Sequence, residues 1–497
     1  MTLREVAGLA AVNVLILGIG MGAVWMSRGL ATWSEVLQTA GLSYFVGLSA
    51  YFVLMSAALI AGAPFAAWTV ISMCVLIAAI FIVTGHCRRM ALPEGIPRLL
   101  PLPRLSLVTA AWVSVFIVYF EVLLRASYGM PAWEWDAKWV WTIRAKALYF
   151  YGNLGGSDLV RGDVSNYESY PPGLSVTHAL SFVGMGDVDP AALHVQHWVF
   201  VVAFATAVIG VLWARVDTRL LYPVVALCIA MPLFVAWSTM LQADLLLAFL
   251  GALAACLLLL FLEDGQPWRL MCSGVLMSGM MLTKREGLVL VAAIIAAALV
   301  ASLRERRWAW PRILACGLAS FIAAASWWLG GAALGGAAPS EGFLGVFAHV
   351  DRIIPALEMV VRVAVDQGWM AGMTVLVALT YMIALGFRSA QRERTFLAGT
   401  AIVLTVAVTL MLASEPRFEF VRESEISPVE RSVLTCVVIM VPLVALTLHE
   451  SLGLPRRTEC SAMKSVSGVP ASGVNSLVPW VVVLLSLIAY PALHLAG

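Results

Sequence analysis

Asp136 stands in the run Trp133-Glu134-Trp135-Asp136-Ala137-Lys138-Trp139-Val140-Trp141-Thr142-Ile143-Arg144-Ala145-Lys146. Tryptophan favours the membrane–water interface, so a carboxylate between Trp135 and Trp139 is partly desolvated, which strengthens it as a base. Such a group can take a proton from a hydroxyl while that oxygen attacks. Glu134 is a second carboxylate two residues away, and on a helix it points elsewhere. The plainer alternative has Asp136 pairing with Lys138 or capping the helix that follows.

Asp244, in Leu241-Gln242-Ala243-Asp244-Leu245, sits at the mouth of an apolar stretch. It is a second acidic candidate, although negative charge at a helix N-terminus is favourable in its own right. Thr283-Lys284-Arg285-Glu286-Gly287 is a charged knot between two apolar stretches. A phosphate or an anionic headgroup suits such cations; alternatively Lys284 and Arg285 neutralise Glu286 and snorkel to the interface. Arg431 opens the stretch Ser432-Val433-Leu434 and either meets a phosphate or anchors a helix. Lys146 and Arg144 are further phosphate candidates. Trp135, Trp141, Tyr170, Glu286 and His178 are candidate sugar or acceptor contacts. Tyr170-Pro171-Pro172-Gly173 is also a rigid turn of the kind that opens a helix without any further role. His194 and His197 stand three residues apart, a spacing too weak to assign a metal. No cofactor is assigned, and the sequence does not support a divalent metal.

The elements that must position these groups follow from composition. The chain of 497 residues is 61% hydrophobic and 12% charged, against about 25% charged in soluble domains. Runs long enough to span a bilayer, roughly 20 apolar residues each, recur throughout, near 6–27, 37–61, 64–84, 105–124, 191–213, 220–239, 244–262, 270–283, 287–303, 313–335, 369–387, 396–413, 432–449 and 477–496. The fold class is therefore an all-α polytopic membrane protein with about 12–14 transmembrane helices. A net charge of +2, with basic residues scattered, excludes nucleic acid as a partner. The eight cysteines include no CxxC pair, which argues against a disulfide framework or a zinc site. Arg88, Arg89, Arg98, Arg104, Arg304, Arg306, Arg307 and Arg312 mark the cytoplasmic loops.

On that assignment three regions lie outside: 125–190, 337–368 and 414–431. The first should hold an interfacial helix over 133–151, with Trp135, Trp139, Ile143, Ala147 and Phe150 on one face. The second should hold a helix lying on the membrane, with Ile354, Leu357, Val361 and Val365 on its apolar face. Glu358 and Arg362 are spaced as an i,i+4 ion pair on it.

Together these motifs resemble the GT-C superfamily of integral-membrane glycosyltransferases, which includes protein O-mannosyltransferases and bacterial aminoarabinose transferases. The resemblance rests on Trp135-Asp136-Ala137 with Trp141 and Ala145-Lys146-Ala147, on Tyr170-Pro171-Pro172, on Ala243-Asp244-Leu245, on Thr283-Lys284-Arg285-Glu286-Gly287 and on the motif led by Arg431. It runs in family order over 105–449, leaving 1–104 as additional N-terminal helices and 450–497 as a cytoplasmic loop with a last helix. Two departures are Glu134-X-Asp136 in place of adjacent acids and Arg285 in place of a neutral polar residue.

The resemblance implies transfer of a sugar from a polyprenyl-phosphate donor to a hydroxyl on a glycan, lipid or protein, with inversion and with Asp136 as base. The bilayer is the other partner. The abundance of Ala, Arg and Trp suggests a bacterial inner membrane with the site on the periplasmic face. Alternatives are a flippase of lipid-linked glycans and an O-antigen-type polymerase or ligase.

Overall fold

The computed structural model describes residues 1–88, 107–128, 130, 134, 136–154, 170–304, 308–330, 349–366, 371–385, 391–414 and 427–454. The chain in these residues is helical, with no strand among them. In order the helices are α1 (Leu3–Arg28), α2 (Trp33–Ile60), α3 (Ala67–Cys87), α4 (Leu107–Tyr128), a π-helical turn (Ala137–Thr142) leading into α5 (Ile143–Tyr151), and α6 (Gly173–Met185). Then come α7 (Pro190–Leu212), α8 (Thr218–Ile229), α9 (Pro232–Ser238), α10 (Ala243–Asp264), α11 (Pro267–Thr283) and α12 (Glu286–Arg304). The last are α13 (Trp310–Gly330), α14 (Ile353–Asp366), α15 (Ala371–Leu385), α16 (Gln391–Ala413) and α17 (Ser427–Ser451). The final apolar stretch expected at 477–496 lies outside the described residues.

Among the described residues, ten helices are long and apolar enough to cross a membrane, and the bent pair α8–α9 makes an eleventh. In a bilayer every backbone polar group must be satisfied within its own segment, which leaves helices as the solution for such runs. Local signals set their ends. Thr2 with Glu5 and Thr32 with Glu35 form capping boxes on α1 and α2, each supplying partners for amides that the helix leaves open. Asp189 caps α7, with Pro190 in its first turn.

The span expected as one piece at 220–239 is broken by 64° between α8 and α9. Pro232 starts the second piece and has no N–H to carry the first helix onward. α11 is shorter than the other spans, yet it traverses the height of its neighbour α10. Lys284 meets Asp244 at one end, 2.8 Å apart, and Arg269 meets Asp264 at the other, 3.0 Å apart. These contacts define a site end, with the first residues of α10, α12 and α17, and a far end.

The core is centred on α10, whose apolar length is wholly enclosed by protein, with α11, α12, α17 and α7 around it. The N-terminal helices are part of this body: α2 packs on α7 and α11, and α1 on α2 and α6. A buried polar triad ties them in, where Tyr44 donates to Asn13 Oδ1 at 2.7 Å and Gln196 on α7 donates to Tyr44 Oη at 2.7 Å. Backbones approach closely through small residues, as in many membrane bundles. A Cβ at Gly20 would strike the Ser43 carbonyl, and one at Gly47 the Ile16 carbonyl.

Periodicity finds the helix at 137–151, and the face expected at the membrane interface is only partly the outer one. Val140, Trp141, Arg144, Ala145 and Leu148 are buried, whereas Trp139 and Phe150 are exposed. Ala147, expected on the same face as those two, is buried instead. Trp135 lies outside the described residues. In α14 the expected apolar stripe of Ile354, Leu357, Val361 and Val365 is exposed, and the helix packs inward through Ala356, Val360 and Val363. A two-sided apolar helix fits contact with protein on one flank and lipid on the other. Glu358 and Arg362 are not among the ion pairs of the described residues.

Candidate active site

At the site end, charged side chains from four separate segments form one continuous chain. Arg431, in the second turn of α17, donates through Nη1 to Asp136 Oδ2 and to Gln242 Oε1, the latter at 3.2 Å. The same nitrogen lies 3.9 Å from Asp244 Oδ2. Lys284 Nζ donates to Asp244 Oδ1 at 2.8 Å and lies 3.1 Å from Glu286 Oε1. Signs thus alternate from Asp136 to Arg431, Asp244, Lys284 and Glu286.

The turn that carries Lys284 is built by its glycine. α11 and α12 are antiparallel neighbours separated only by Lys284 and Arg285. A Cβ at Gly287 would collide with the Met280 carbonyl, so only glycine lets the chain double back this tightly. The turn sends its two cations to different places. Lys284 is buried toward Asp244, while the Arg285 guanidinium sits 5.0 Å from the centre of the Tyr170 ring. Tyr170 in turn meets Trp141 edge-on at 5.6 Å. This cation–π and aromatic chain couples the Lys284-Arg285 turn to the helix carrying Asp136. Gly173, opening α6, packs on the same turn, since a Cβ there would lie 2.5 Å from the Leu282 carbonyl.

Electrostatics follow from burial and pairing. Burial works against the charge of Lys284, but Asp244 and Glu286 outweigh it and its pKa is raised. Burial, aided by Glu286, pushes Tyr170 up to about 12 against the opposing pull of Lys284 and Arg285, so it remains a neutral phenol. Burial also raises Glu134, partly countered by its own backbone amide and by Lys138. Glu134 is only 5% exposed, and neither carboxylate oxygen has a hydrogen-bond partner among the described residues. The two ends of this chain of charges are its accessible members: Asp136 is 30% and Glu286 29% exposed, against 8% for Asp244 and 15% for Arg431.

The geometry sorts the residues singled out in the sequence. Asp136, Asp244, Lys284, Glu286 and Arg431 come together, with Arg285, Tyr170 and Trp141 stacked alongside. Asp136 pairs with Arg431, and it makes no side-chain cap on the helix it precedes. Arg144 is buried, its guanidinium 5.9 Å from the Trp327 ring at the end of α13. Lys146 is half-buried and joins none of the ion pairs among the described residues. His178 is fully buried on α6, with Nε2 3.1 Å from Nε2 of His197; its contacts are in the helix core and not with the carboxylate chain. Among the described residues no group of three or more His, Cys, Asp or Glu side chains could hold a metal ion.

Two participants escape the sequence reading. Gln242 accepts from Arg431, and Trp237 lies under its guanidinium at 5.8 Å. The position of Gln242, two residues before Asp244 at the start of α10, was the available signal.

Residues 192–329 match the family model described as dolichyl-phosphate-mannose-protein mannosyltransferase. The matched stretch runs from α7 to α13 and includes Asp244, Lys284, Arg285 and Glu286. No curated protein and no solved structure matches the chain. The family match and the all-helical membrane body bear out the resemblance read from the motifs, and they support a membrane glycosyltransferase of the GT-C type.

Proposed function

We propose that the chain transfers a sugar from a polyprenyl-phosphate carrier to a hydroxyl acceptor, at the membrane face where Asp136, Arg431 and Lys284 gather. The observation that carries this reading is the joining of Asp136 to Arg431. A partly accessible carboxylate and a cation from a distant segment are set side by side, as a base and a phosphate ligand should be. The acceptor oxygen attacks the anomeric carbon and its proton passes to Asp136. The bond from that carbon to the phosphate oxygen breaks, and the electron pair leaves with the polyprenyl phosphate. Attack opposite the leaving group inverts the anomeric centre. Phosphate is a good leaving group, so no separate general acid is needed. Fixed cations where negative charge develops are needed, and Arg431 is the foremost, with Lys284 on the shared Asp244 and Arg285 on the adjoining Tyr170 as the others. Glu134 is the weaker acidic candidate, and Asp244 holds both cations in position.

The reading places the site on the periplasmic face of a bacterial inner membrane, with the acceptor a glycan, a lipid or a protein. The exposed apolar residues of the π-helical turn, α5 and α14, Trp139, Phe150, Ile354 and Val361 among them, suit helices seated in the headgroup region, where a carrier lipid enters. The test is transfer in reconstituted liposomes with a panel of radiolabelled polyprenyl-phosphate sugars and a membrane extract as acceptor. Wild type should consume one donor and Asp136→Asn should not. Full transfer by a well-folded Asp136→Asn protein removes Asp136 as base; labelled lipid crossing the bilayer without consumption points to a flippase instead.

A further inference from the structure

The helix that follows Asp136 turns one face to the bundle and the other away from it. Val140, Trp141, Arg144, Ala145 and Leu148 are buried on the inner side. Lys138, Trp139, Phe150 and Tyr151 are exposed, and Ile143 and Lys146 are half-buried. Trp139, Ile143, Lys146 and Phe150 recur at helical spacing, so this outer face carries apolar groups and two lysines together. No acidic residue occurs from 137 to 154. Neither lysine joins an ion pair among the described residues, and Glu134, on which Lys138 acts electrostatically, is itself buried.

Both ends of this helix are fixed at the mouths of membrane spans. At its start Asp136 meets Arg431 in the second turn of α17. At its end the Gly152 carbonyl accepts from the Phe65 amide, at 2.6 Å, in the short link between the spans α2 and α3. α2 leaves the far end, where Glu35 pairs with Arg28 beside Trp268. It then passes Gly279 with Ser49 and Gly173 with Phe52, both next to the Lys284 turn. The α2–α3 link is therefore at the site end, and the helix from 137 to 151 lies across the ends of the spans, at headgroup depth.

We propose that this outer face is a binding surface for anionic phospholipid. Lys138 and Lys146 take the headgroup phosphates, and Trp139, Ile143 and Phe150 enter the border of the acyl region, as basic amphipathic helices do. A zwitterionic headgroup brings its own ammonium, which competes with lysine for the phosphate. A headgroup such as phosphatidylglycerol leaves that negative charge unbalanced, so it is the one that this face selects. α14 is the contrast within the same molecule. Its outer face is also apolar, but Glu358 and Arg362 are both exposed on it, and one charge of each sign gives no preference between lipids. The inference depends on the membrane fold and not on the transferase reading. Because Asp136 stands at the head of this helix, the lipids that seat the face also set where the carboxylate stands.

The experiment reads Trp139 in the full-length protein, reconstituted in vesicles of phosphatidylcholine with phosphatidylglycerol. One lipid or the other is brominated close to its glycerol end, and the Trp139 signal is the difference from Trp139→Phe. In wild type, brominated phosphatidylglycerol should quench Trp139 with severalfold higher apparent affinity than brominated phosphatidylcholine. Lys138→Gln and Lys146→Gln should each lower that preference, by about fivefold at most, the effect of one cation beside an anionic lipid surface. The double variant should show none. Salt at about 1 M should erase most of it in wild type, since the Debye length falls to ~3 Å. Arg362→Gln, on the balanced face of α14, should leave it unchanged.

Equal quenching of wild type by the two lipids overturns the proposal, and so does no quenching of Trp139 by either. A preference that survives in a folded Lys138→Gln/Lys146→Gln protein places the anionic lipid elsewhere and overturns it as well. Displacement by farnesyl phosphate, at a mole fraction far below that of phosphatidylglycerol, would give the lysines to the sugar donor instead. The transferase reading stands or falls separately, on consumption of a donor.

Discussion

The helix pair α10–α11 is clamped by charge at both ends, and the two clamps differ in construction. At the far end Arg215 bonds Glu263 and also Asp264, at 2.8 Å for the second, while Arg269 lies 3.0 Å from Asp264. Two cations meet two carboxylates there, three of the four within the short stretch 263–269. At the site end Lys284 and Arg431 are shared among Asp136, Asp244 and Glu286, and these come from regions separated by hundreds of residues. A local, balanced network closes a bundle. A network assembled from distant segments, whose outermost carboxylates Asp136 and Glu286 are about a third exposed, is within reach of an entering ligand. On the function proposed above, similar ion pairs serve packing at one end and binding at the other.

The comparison can be broken most severely at Asp136. Asp136→Asn should lower transfer by about 100- to 10,000-fold, the usual contribution of a general base, with the thermal unfolding profile retained. A rate within a few-fold of wild type would reduce the site-end clamp to a second structural one. Lys284→Met comes next. It leaves Asp244 buried with only Arg431 nearby, and removing one partner of a buried pair costs about 3 kcal/mol or more. Equilibrium unfolding in mixed detergent measures it. Arg269→Gln sharpens the contrast from the other side. Arg215 still neutralises Asp264, so the loss should be about 1 kcal/mol, with donor transfer unchanged.

The smallest effect is expected at Glu134, and its sign depends on pH. Burial raises its pKa, so the folded protein holds the proton more strongly than the unfolded chain does. The cost of burying the charge is absent in acid and complete above the raised value. Glu134→Gln should therefore stabilise the protein at neutral and alkaline pH, with the gain fading as pH falls into the ordinary glutamate range. Melting temperature against pH checks this, and a gain that is flat with pH would mean that Glu134 is not buried as a charge.

Much of the membrane architecture was legible because hydropathy and the backbone's need for internal hydrogen bonds act along the sequence alone. The meeting of Asp136, Asp244, Lys284 and Arg431 was not, since no local signal reports which distant segments share one end of a bundle. Their motif order only made them candidates. The inner face of the helix at 137–151 was less legible, for a physical reason. In a membrane protein an apolar face can point at lipid, so Trp139 and Phe150 lie outside while Arg144 lies within. The break before Pro232 had a local cause in view, whereas its 64° angle depends on packing. Gln242 went unnoticed because a neutral amide beside Asp244 gains meaning only once Arg431 is placed above it.

The enclosure of α10 has a consequence for how the protein is made. Its most apolar helix touches protein on every side, yet α17, one of its walls, begins only at Ser427. At typical elongation rates roughly 10–30 s pass between the synthesis of α10 and that of α17, and during that time α10 must rest in lipid. Its leucine-rich surface suits lipid and protein equally, but Asp244 near its tip does not. Lys284 supplies the countercharge as soon as α11 has emerged, and Arg269 does the same for Asp264 at the other tip. The α10–α11 hairpin is thereby neutralised at both ends before any later helix exists, so it can enter the bilayer as one unit and wait there for the rest of the bundle.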